Sequence, residues 1–391
     1  MKPNTAIVAL SVGAFGIGVS EFAPMGILPV MAHDLNVSIP SAGLLVSAYA
    51  IGVLLAAPLM TLTTARMPRR ALLVALMGIF TAGNLMSALS TNYNMLMVSR
   101  VLTSLNHGAF FGVGSVVASG LVPSDKRAGA VATMFMGLTL ANVLGVPAAT
   151  WMADAFGWRS VFWVVTGIGL LAMAALRASL PEVPADANAN LRAELRVLAR
   201  GSVLAALALT VVSSMAMFTV FTYIAPMLQD RMHASTAFIA AVLVVYGMGL
   251  SLGNWLGGRY GDRSVDGTLM VTLASMAVLL LLLSVGMSAA APAALLIFLW
   301  GITSFALVPP LQMRVMSAAK GAPNLASAMN IGAFNLGNGL GAIAGGAVIR
   351  AQLGYPAVPM AGAAMAASGL AMVLLLRRAK KQSAHEAAAF C

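Results

Sequence analysis

Three ionisable side chains lie inside long apolar stretches of the sequence, where charges are rare. They are Glu21, Arg100 and His107. A charge at the centre of a bilayer costs at least about 2.5 to 3.5 kcal/mol on insertion scales, so such groups normally face a partner or a water-filled cavity. Desolvation favours the neutral form of a carboxyl, whereas a nearby guanidinium favours its ionised form. Small changes in geometry can therefore switch the protonation of a carboxyl such as Glu21, and proton coupling requires that property.

The sequence predicts similar depths for these three groups. Counted at 1.5 Å per residue from the ends of their apolar stretches, Glu21 and Arg100 differ by about 6 Å, which a long arginine side chain can span. His107 follows Arg100 by seven residues on the same helix face. We predict that Glu21 carries a proton across the membrane while Arg100 and His107 tune its proton affinity. The structural alternatives are a fixed Glu21–Arg100 ion pair and a packing role for His107.

The elements that must position these groups are membrane helices. The chain has 391 residues, of which 60% are hydrophobic and 8% charged, whereas soluble domains carry about 25% charged residues. Twelve apolar stretches of roughly 18 to 27 residues can each cross a bilayer core, and they are too long and too unalternating for barrel strands. We name them spans 1 to 12, and they cover approximately residues 6–31, 42–63, 71–90, 95–119, 128–150, 159–179, 202–228, 235–257, 268–287, 292–316, 324–349 and 357–376.

The net charge of +11 could indicate either nucleic-acid binding or membrane topology, and the positions of the charges along the chain distinguish the two. With the N-terminus in the cytoplasm, the cytoplasmic connections and the basic C-terminal tail hold the entire positive excess, and the outer connections are neutral. This is the positive-inside pattern of a multi-pass inner-membrane protein, and it removes the reason to propose a nucleic-acid partner. The single cysteine, Cys391, allows no intramolecular disulfide, and the sequence calls for no metal or cofactor.

A polar stretch divides the chain into two groups of six spans. We predict an N-terminal bundle over 1–180, a cytoplasmic linker over 181–201 and a C-terminal bundle over 202–391. The segment Ser20–Met25 resembles Thr222–Met227, and Thr103-Ser104 recurs as Thr303-Ser304, at offsets of 202 and 200 residues. Repeated halves of six spans, with both termini cytoplasmic and a substrate site between the halves, suit the major facilitator architecture.

The same offsets predict where substrate binds. Glu21 corresponds to Tyr223, and Arg100 corresponds to Trp300, so the charges of the first half are replaced by aromatic residues in the second. Three residues of span 11 recur every four positions and share one helix face. Ordinary aromatic packing is the alternative. The predicted cavity residues are Tyr223, Tyr246, Trp300, Asn330, Phe334, Asn338 and Asn142.

Three motifs resemble the drug:proton antiporter family of the major facilitator superfamily, and most closely its arabinose-efflux-permease branch. They are Ser20–Gly26 in span 1, Ser99–Gly108 in span 4 and Gly137–Pro147 in span 5. The resemblance, which covers nearly the whole chain, implies that Arg100 belongs to a proton-linked motif and that Gly145 to Pro147 is a reduced antiporter motif. It also aligns Asp34 with an acidic position linked to coupling, although helix capping or a gate salt bridge fits that surface position equally well.

The superfamily's cytoplasmic gate motif reads Gly-x-x-x-Asp-Arg-x-Gly-Arg-Arg. Its first copy lacks the glycine and the aspartate here but keeps Arg66, Arg69 and Arg70. Its second copy keeps Gly258, Asp262 and Arg263 and then departs at Asp266. The resemblance therefore implies that a gate interaction centres on Asp262 and Arg263, and charge that merely sets topology is the alternative.

Together these features predict a secondary active transporter, not an enzyme, that acts as a monomer in the bacterial inner membrane. We expect proton-coupled efflux of small molecules such as chloramphenicol-like drugs, and hence drug resistance, by alternating access. A sugar or purine nucleoside exporter, or a proton symporter, is the alternative within transport, because fold alone does not set the substrate. A membrane enzyme lacks support from any metal cluster, nucleophile elbow or phosphate loop, and a passive channel fits the unequal charges of the halves poorly.

Overall fold

The chain folds into long helices joined by short turns. The computed structural model describes residues 3–64, 67–123, 127–182, 197, 199–287, 289–319 and 323–389, and no strand occurs within these ranges. The helices form twelve spans in the predicted order. From span 1 to span 12 they are Pro3–Asp34; Ile39–Thr63; Arg69–Ala88; Tyr93–Ser104 with His107–Gly120; Arg127–Leu140 with Val146–Phe156; Trp158–Ser179; Gly201–Phe221 with Ile224–Met232; Thr236–Gly261; Val265–Gly286; Ala290–Ala306 with Val308–Ala318; Pro323–Arg350; and Ala357–Ala389.

Over the described residues, eleven spans are long and apolar enough to cross a membrane. Span 11 does not belong to this set, because it contains several asparagine and glycine residues. Its 28 residues still extend about 42 Å, which is enough to cross a bilayer. Asn330 and Asn338 accept hydrogen bonds from span 7, so the polar composition of span 11 reflects a helix surrounded by protein.

Local sequence explains where several spans begin. Ser38, Asn92, Ser235 and Ser264 each cap the following helix, since the side-chain oxygen accepts a hydrogen bond from a backbone N–H of the first turn. Such caps satisfy donors that a helix leaves unpaired at its N-terminus. Spans 5 and 6 are separated by Gly157, whose φ of +79° favours glycine because side chains with a Cβ rarely adopt it.

Four spans are interrupted near the functional regions. Span 4 breaks at Leu105 and Asn106, directly before His107, and span 7 breaks at Thr222 and Tyr223. Span 5 contains a π-helical turn over Ala141–Gly145, and span 10 breaks at Leu307 before two prolines. Breaks and π turns change the direction of side chains and free backbone groups, and they are tolerated at membrane depth where protein surrounds them.

Two large apolar cores form the centre of the molecule. One core lies entirely within residues 6–180 apart from Ile331 at its edge. The other lies mainly within residues 209–373, and it also includes Phe22, Met25 and Leu28 from the outer part of span 1. The two groups of spans therefore pack together on the outer side. The predicted linker 181–201 falls mostly outside the described residues, so the proposed domain boundary rests on sequence.

Glycines allow close contact between the two groups of spans. A Cβ on Gly339 of span 11 would lie 3.1 Å from Ile51 of span 2, and a Cβ on Gly247 of span 8 would lie 2.9 Å from the Asn142 carbonyl oxygen of span 5. The second contact is with backbone and cannot be relieved by a side-chain rotation. Spans 2 and 11, and spans 5 and 8, thus form two tight seams between the groups.

Candidate functional site

Glu21 lies in the interior of the first six spans, beside His107. Its carboxyl oxygen Oε2 is 3.8 Å from His107 Nδ1, and both residues are almost fully buried at 5% and 4% exposure. The break in span 4 immediately precedes His107, so the interruption of the helix places this ring toward span 1. At 3.8 Å the carboxyl and the imidazole are neighbours but are not hydrogen-bonded to each other.

Arg100 is completely buried, yet it does not contact the Glu21 carboxylate. Its Nη1 donates to the Ser20 carbonyl oxygen at 2.9 Å and to Ser20 Oγ at 3.3 Å. Its Nε and Nη2 have no hydrogen-bond partner. Within the described residues, no ion pair closer than 4.0 Å joins Arg100 to Glu21. The fixed ion pair that the sequence allowed is therefore not formed in this conformation.

Tyr49 of span 2 joins this cluster, and sequence reasoning missed it. Its hydroxyl is 2.9 Å from His107 Nδ1, and the Arg100 Cζ atom lies 4.3 Å from the centre of its ring. A guanidinium over an aromatic face is attracted by the ring quadrupole. The sequence did offer a signal, because Tyr49-x-x-Gly52 in span 2 recurs as Tyr246-x-x-Gly249 in span 8.

Ser20 connects the cluster to span 3. Its hydroxyl donates to Asn84 Oδ1 at 2.8 Å, and Asn84 Nδ2 donates to the Phe80 carbonyl oxygen at 2.9 Å. Asn84 is fully buried, so this hydrogen-bond chain fixes the position of Ser20 and, through it, the direction of Arg100. The Arg100 guanidinium is therefore held in place by hydrogen bonds to the neutral oxygens of Ser20.

Asp34 does not join the Glu21 cluster. It ends span 1 at the outer side, where its Oδ2 accepts hydrogen bonds from Arg159 Nη1 at 2.6 Å and from Trp158 Nε1 at 2.9 Å. Arg159 also donates from Nε to the Ser90 carbonyl oxygen. These contacts tie the outer ends of spans 1, 3 and 6 together. The position agrees with a surface salt bridge, and a role of Asp34 in coupling stays a prediction.

An aromatic cluster lies at the centre of the second group of spans. Tyr246 stacks on Phe221 with a centroid distance of 4.8 Å and on Trp300 at 4.7 Å. Phe22 of span 1 reaches this cluster, with its centroid 6.2 Å from Phe218 and 6.4 Å from Phe221. The two groups of spans therefore meet in aromatic packing at the depth of Glu21.

Two hydrogen-bonding groups of this aromatic cluster have no partner. Trp300 Nε1 is buried and unpaired, and the Tyr246 hydroxyl has Ser304 beside it but no partner in hydrogen-bond geometry. Buried polar groups are normally hydrogen-bonded, so these two groups make the aromatic cluster a candidate for binding polar atoms of a solute. The predicted cavity residues Tyr246 and Trp300 lie together here.

Tyr223 lies apart from Tyr246 and Trp300. Its hydroxyl donates to the Ala342 carbonyl oxygen at 2.7 Å. A Cβ on Gly43 of span 2 would come within 2.2 Å of the same hydroxyl, and one on Gly346 would come within 2.6 Å. The ring therefore fills the space between spans 2, 7 and 11 on the outer side. The offset that pairs Tyr223 with Glu21 gives the correct helix but not the same surroundings.

The predicted residues of span 11 divide between two environments. Asn330 Oδ1 accepts from Thr210 Oγ1 at 2.7 Å, and Asn330 Nδ2 donates to Gln312 Oε1 at 2.5 Å. Asn338 Oδ1 accepts from Ser214 Oγ. Both amides thus bond to neighbouring helices, whereas the Phe334 side chain is only half-buried. In this conformation the side chains of Asn330 and Asn338 join span 11 to neighbouring helices by hydrogen bonds.

Asn142 lies at the π turn of span 5. Its Nδ2 donates to the Leu138 carbonyl oxygen at 3.0 Å. Its side chain borders a void of about 10 Å³ between spans 5 and 8, which Thr139, Ser251 and Asn254 also line. That volume suits about one water molecule. The void is too small for a substrate in this conformation.

The first copy of the gate motif makes its contact within one group of spans. Arg70 pairs with Glu182 and also donates to the Leu180 carbonyl oxygen at 3.3 Å, which ties the start of span 3 to the end of span 6. Arg69 is the first residue of span 3. Arg66 lies outside the described residues.

The second copy forms its ion pair at a different aspartate from the predicted one. Asp266 of span 9 pairs with Arg314 of span 10, whereas no ion pair of Asp262 occurs among the described residues. Arg263 lies near the Tyr260 ring at 5.6 Å, and a Cβ on Gly258 would meet open space. Sequence reasoning treated Asp266 as a departure from the motif and so missed its role.

The described residues form a bundle of membrane-spanning helices with a buried acid in one half and an aromatic centre in the other. A family profile described as Major Facilitator Superfamily matches residues 10–331. The inner membrane transport protein YdhP of Escherichia coli (strain K12) is 54% identical over 382 residues, which cover 98% of each chain. AraJ of the same strain is 34% identical over 385 residues, covering 97% of this chain and 96% of AraJ.

A crystal structure of a D-xylose-proton symporter shares the fold, with a TM-score of 0.79 at 16% sequence identity. The matched region covers 95% of this chain and 97% of the symporter chain. The chain belongs to the major facilitator superfamily. It is a multi-pass inner-membrane protein of the transporter class, whose members bind small-molecule substrates. The comparisons confirm the predicted family, its branch with YdhP and AraJ, the twelve-helix fold and the membrane location.

Proposed function

We propose that this transporter exports small molecules in exchange for protons, and that Glu21 is the group that carries the proton. The observation that supports this proposal is a buried carboxyl with two alternative neighbours. His107 lies at 3.8 Å on one side, and Arg100 holds an unpaired Nε and Nη2 nearby. A carboxyl placed between a neutral partner and a cation can change both its charge and its position.

The unpaired nitrogens of Arg100 form the edge with which a guanidinium binds a carboxylate through two parallel hydrogen bonds. Leaving buried donors unpaired costs about 1 to 3 kcal/mol, and more for a charged group. An ionised Glu21 that moved to this edge would remove that cost. A protonated Glu21 has no such attraction and remains beside His107, as in this conformation.

This difference supplies the coupling. Protonation releases the carboxyl from Arg100 and favours one conformation, whereas proton loss favours the ion pair and the other conformation. A ligand or proton shifts a conformational equilibrium only by its differential affinity for the two states. The two positions of Glu21 provide that differential affinity within the first six spans.

The aromatic cluster is the proposed substrate site. Tyr246 and Trp300 offer two hydrogen-bond donors between ring faces, and no charged side chain belongs to the cluster. This chemistry suits uncharged ring-containing solutes with acceptor atoms, including chloramphenicol-like drugs. Sugars and purine nucleosides are a second candidate class, because the two unpaired donors can also bind hydroxyl or ring-nitrogen acceptors.

The proposal is tested by flux in proteoliposomes carrying a pH gradient, with chloramphenicol, arabinose and a purine nucleoside as probes. For an antiporter, an acidic lumen drives accumulation of the solute, whereas a symporter requires the acidic side outside. We expect accumulation with an acidic lumen, and we expect Glu21→Gln to retain downhill exchange but lose the accumulation.

The matched control is Asp230→Asn, which makes the same carboxyl-to-amide change at an exposed position and should behave as wild type. A Glu21→Gln variant that accumulates solute at the wild-type rate would rule out Glu21 as the proton carrier. Flux of a probe that ignores the gradient in wild type would point to facilitated diffusion.

A further inference from the structure

Span 2 contacts the second group of spans along one face. Ser47 Oγ donates to the Gly339 carbonyl oxygen of span 11 at 3.0 Å. A Cβ on Gly339 would lie 3.1 Å from Ile51, and a Cβ on Gly332 would lie 3.2 Å from Leu54. Ser47, Ile51 and Leu54 follow helical spacing, so they form a continuous stripe against span 11. Any movement between the two groups of spans changes this contact.

Tyr49 projects from the opposite side of the same helix. Side chains two positions apart on an α-helix point in directions that differ by about 200°. Tyr49 follows Ser47 by two positions, so it points away from the stripe that begins at Ser47. It is 1% exposed, with its hydroxyl 2.9 Å from His107 Nδ1 and its ring 4.3 Å from the Arg100 Cζ atom. One rigid helix therefore contacts the buried charges with one face and span 11 with the other.

The corresponding tyrosine in the other half lacks these polar contacts. Tyr246 occupies the same place in the Tyr-x-x-Gly repeat, and its ring contacts Trp300 where the Tyr49 ring contacts Arg100. Its hydroxyl has no partner in hydrogen-bond geometry. Tyr49 differs from Tyr246 because its hydroxyl bonds to a titratable ring, so this hydrogen bond depends on the protonation state of His107.

We infer that Tyr49 is a positioning residue that sets the state of His107 and transmits the charge of Glu21 to the contact between spans 2 and 11. This inference rests on the proposed function. His107 Nδ1 lies 2.9 Å from the Tyr49 hydroxyl but 3.8 Å from Glu21. When Tyr49 donates to Nδ1, the ring carries its proton on Nε2 and cannot donate to Glu21. When Nδ1 carries the proton, it can turn to an ionised Glu21 and change its bond to Tyr49.

The groups that face this site come from few elements. Span 1 contributes Glu21, and span 4 contributes Arg100 and His107. Over its described side chains, span 11 has Arg350 as its charged residue, at the outer end. A change of charge at Glu21 therefore reaches span 2 through His107 and Arg100, and Tyr49 contacts both of them.

The test measures how the outer contact between the halves depends on pH. Asp154 and Thr236 lie across this contact, with Thr236 Oγ1 donating to Asp154 Oδ1 at 2.9 Å. Both are replaced by cysteine in a chain whose native Cys391 is changed to serine, and spin-label distances are recorded in nanodiscs over a pH series. Tyr49→Phe keeps the ring and removes the hydroxyl, and Tyr260→Phe makes the same change at an exposed position as the matched control.

We expect the pH midpoint of the distance change to fall by about one unit in Tyr49→Phe, a tenfold change in proton affinity. The reason is that His107 Nδ1, freed from Tyr49, can carry a proton and stabilise ionised Glu21. We expect no shift in Tyr260→Phe. A Tyr49→Phe midpoint equal to that of wild type would overturn the inference.

Glu21→Gln separates this inference from the function on which it rests. Loss of the pH response in Glu21→Gln with no shift in Tyr49→Phe would refute the role of Tyr49 alone, whereas a Glu21→Gln variant with an intact pH response would refute proton coupling through Glu21. Nitrogen-15 NMR of the four histidines gives a test that needs no Tyr49 variant. Below the pH midpoint of the distance change, where Glu21 is protonated, we expect His107, assigned with His107→Gln, to carry its proton on Nε2, and a proton on Nδ1 under that condition would overturn the inference.

Discussion

The contact of span 5 with span 8 gives a sharp test of how tightly the two groups of spans are closed. Gly247 faces the π turn of span 5, and a Cβ at this position would lie 2.9 Å from the Asn142 carbonyl oxygen, 2.9 Å from Val143 Cα and 3.1 Å from the Asn142 carbonyl carbon. All three atoms belong to backbone. We therefore expect Gly247→Ala to disfavour this conformation relative to any conformation in which spans 5 and 8 separate.

The size of the shift in conformational free energy caused by Gly247→Ala follows from two opposing terms. Overpacking a tight contact costs about 1 to 3 kcal/mol, and the helix propensity of alanine over glycine returns about 0.5 to 1 kcal/mol in every conformation. The propensity term cancels when two helical conformations are compared. The conformational equilibrium should therefore shift by about 1 to 3 kcal/mol, and each 1.4 kcal/mol is a factor of ten.

The assay is the spin-label distance between positions 154 and 236, measured at one pH. Gly247→Ala should populate a longer distance than wild type. Gly167→Ala is the matched control, because a Cβ there would meet open space, and it should raise thermal stability without changing the distance. If Gly247→Ala gave the wild-type distance and the same stabilisation as Gly167→Ala, the argument from backbone contact would be refuted.

Further predictions concern the charged groups and the aromatic centre. Arg100→Lys loses the two-donor edge for carboxylate and should lower proton-driven flux by about tenfold, the equivalent of 1.4 kcal/mol, with little change in melting temperature. Asp266→Asn breaks the pair with Arg314 and should cost up to about 1 kcal/mol of stability, whereas Asp262→Asn should leave the melting temperature unchanged. Trp300→Phe removes a buried indole N–H that has no partner and should weaken the binding of acceptor-bearing solutes, measured by calorimetry.

The sequence predicts the fold well because hydrocarbon imposes strict rules. Length and apolar composition locate the spans, and charge placement orients them. Span 11 shows where this reasoning fails. Its asparagines Asn330 and Asn338 accept hydrogen bonds from Thr210 and Ser214 of span 7, so a helix packed against other helices can have a low mean hydropathy and still cross the membrane. The rarity of charge within spans pointed to Glu21, Arg100 and His107, which the structure buries, and their role in proton coupling stays a prediction.

Contacts that depend on the rotation of a helix were beyond the sequence. Tyr49 is one of several tyrosines in apolar segments, and only the packing of spans 1, 2 and 4 shows that it faces His107. Depth alone placed Arg100 within reach of Glu21, but the Ser20 carbonyl oxygen takes the hydrogen bond instead. Asp266 was missed because a motif records positions along one chain segment, whereas its partner Arg314 comes from another span.

The central claim is that Glu21 gains and loses a proton as the transporter changes conformation. Infrared difference spectroscopy over a pH series tests it directly, because a buried protonated carboxyl gives a resolved C=O stretching band. The account predicts one such band that disappears with rising pH at the midpoint of the 154–236 distance change, that is absent in Glu21→Gln and that persists in Asp230→Asn. A band that survives in Glu21→Gln, or one that does not respond to pH while the distance does, would contradict the account.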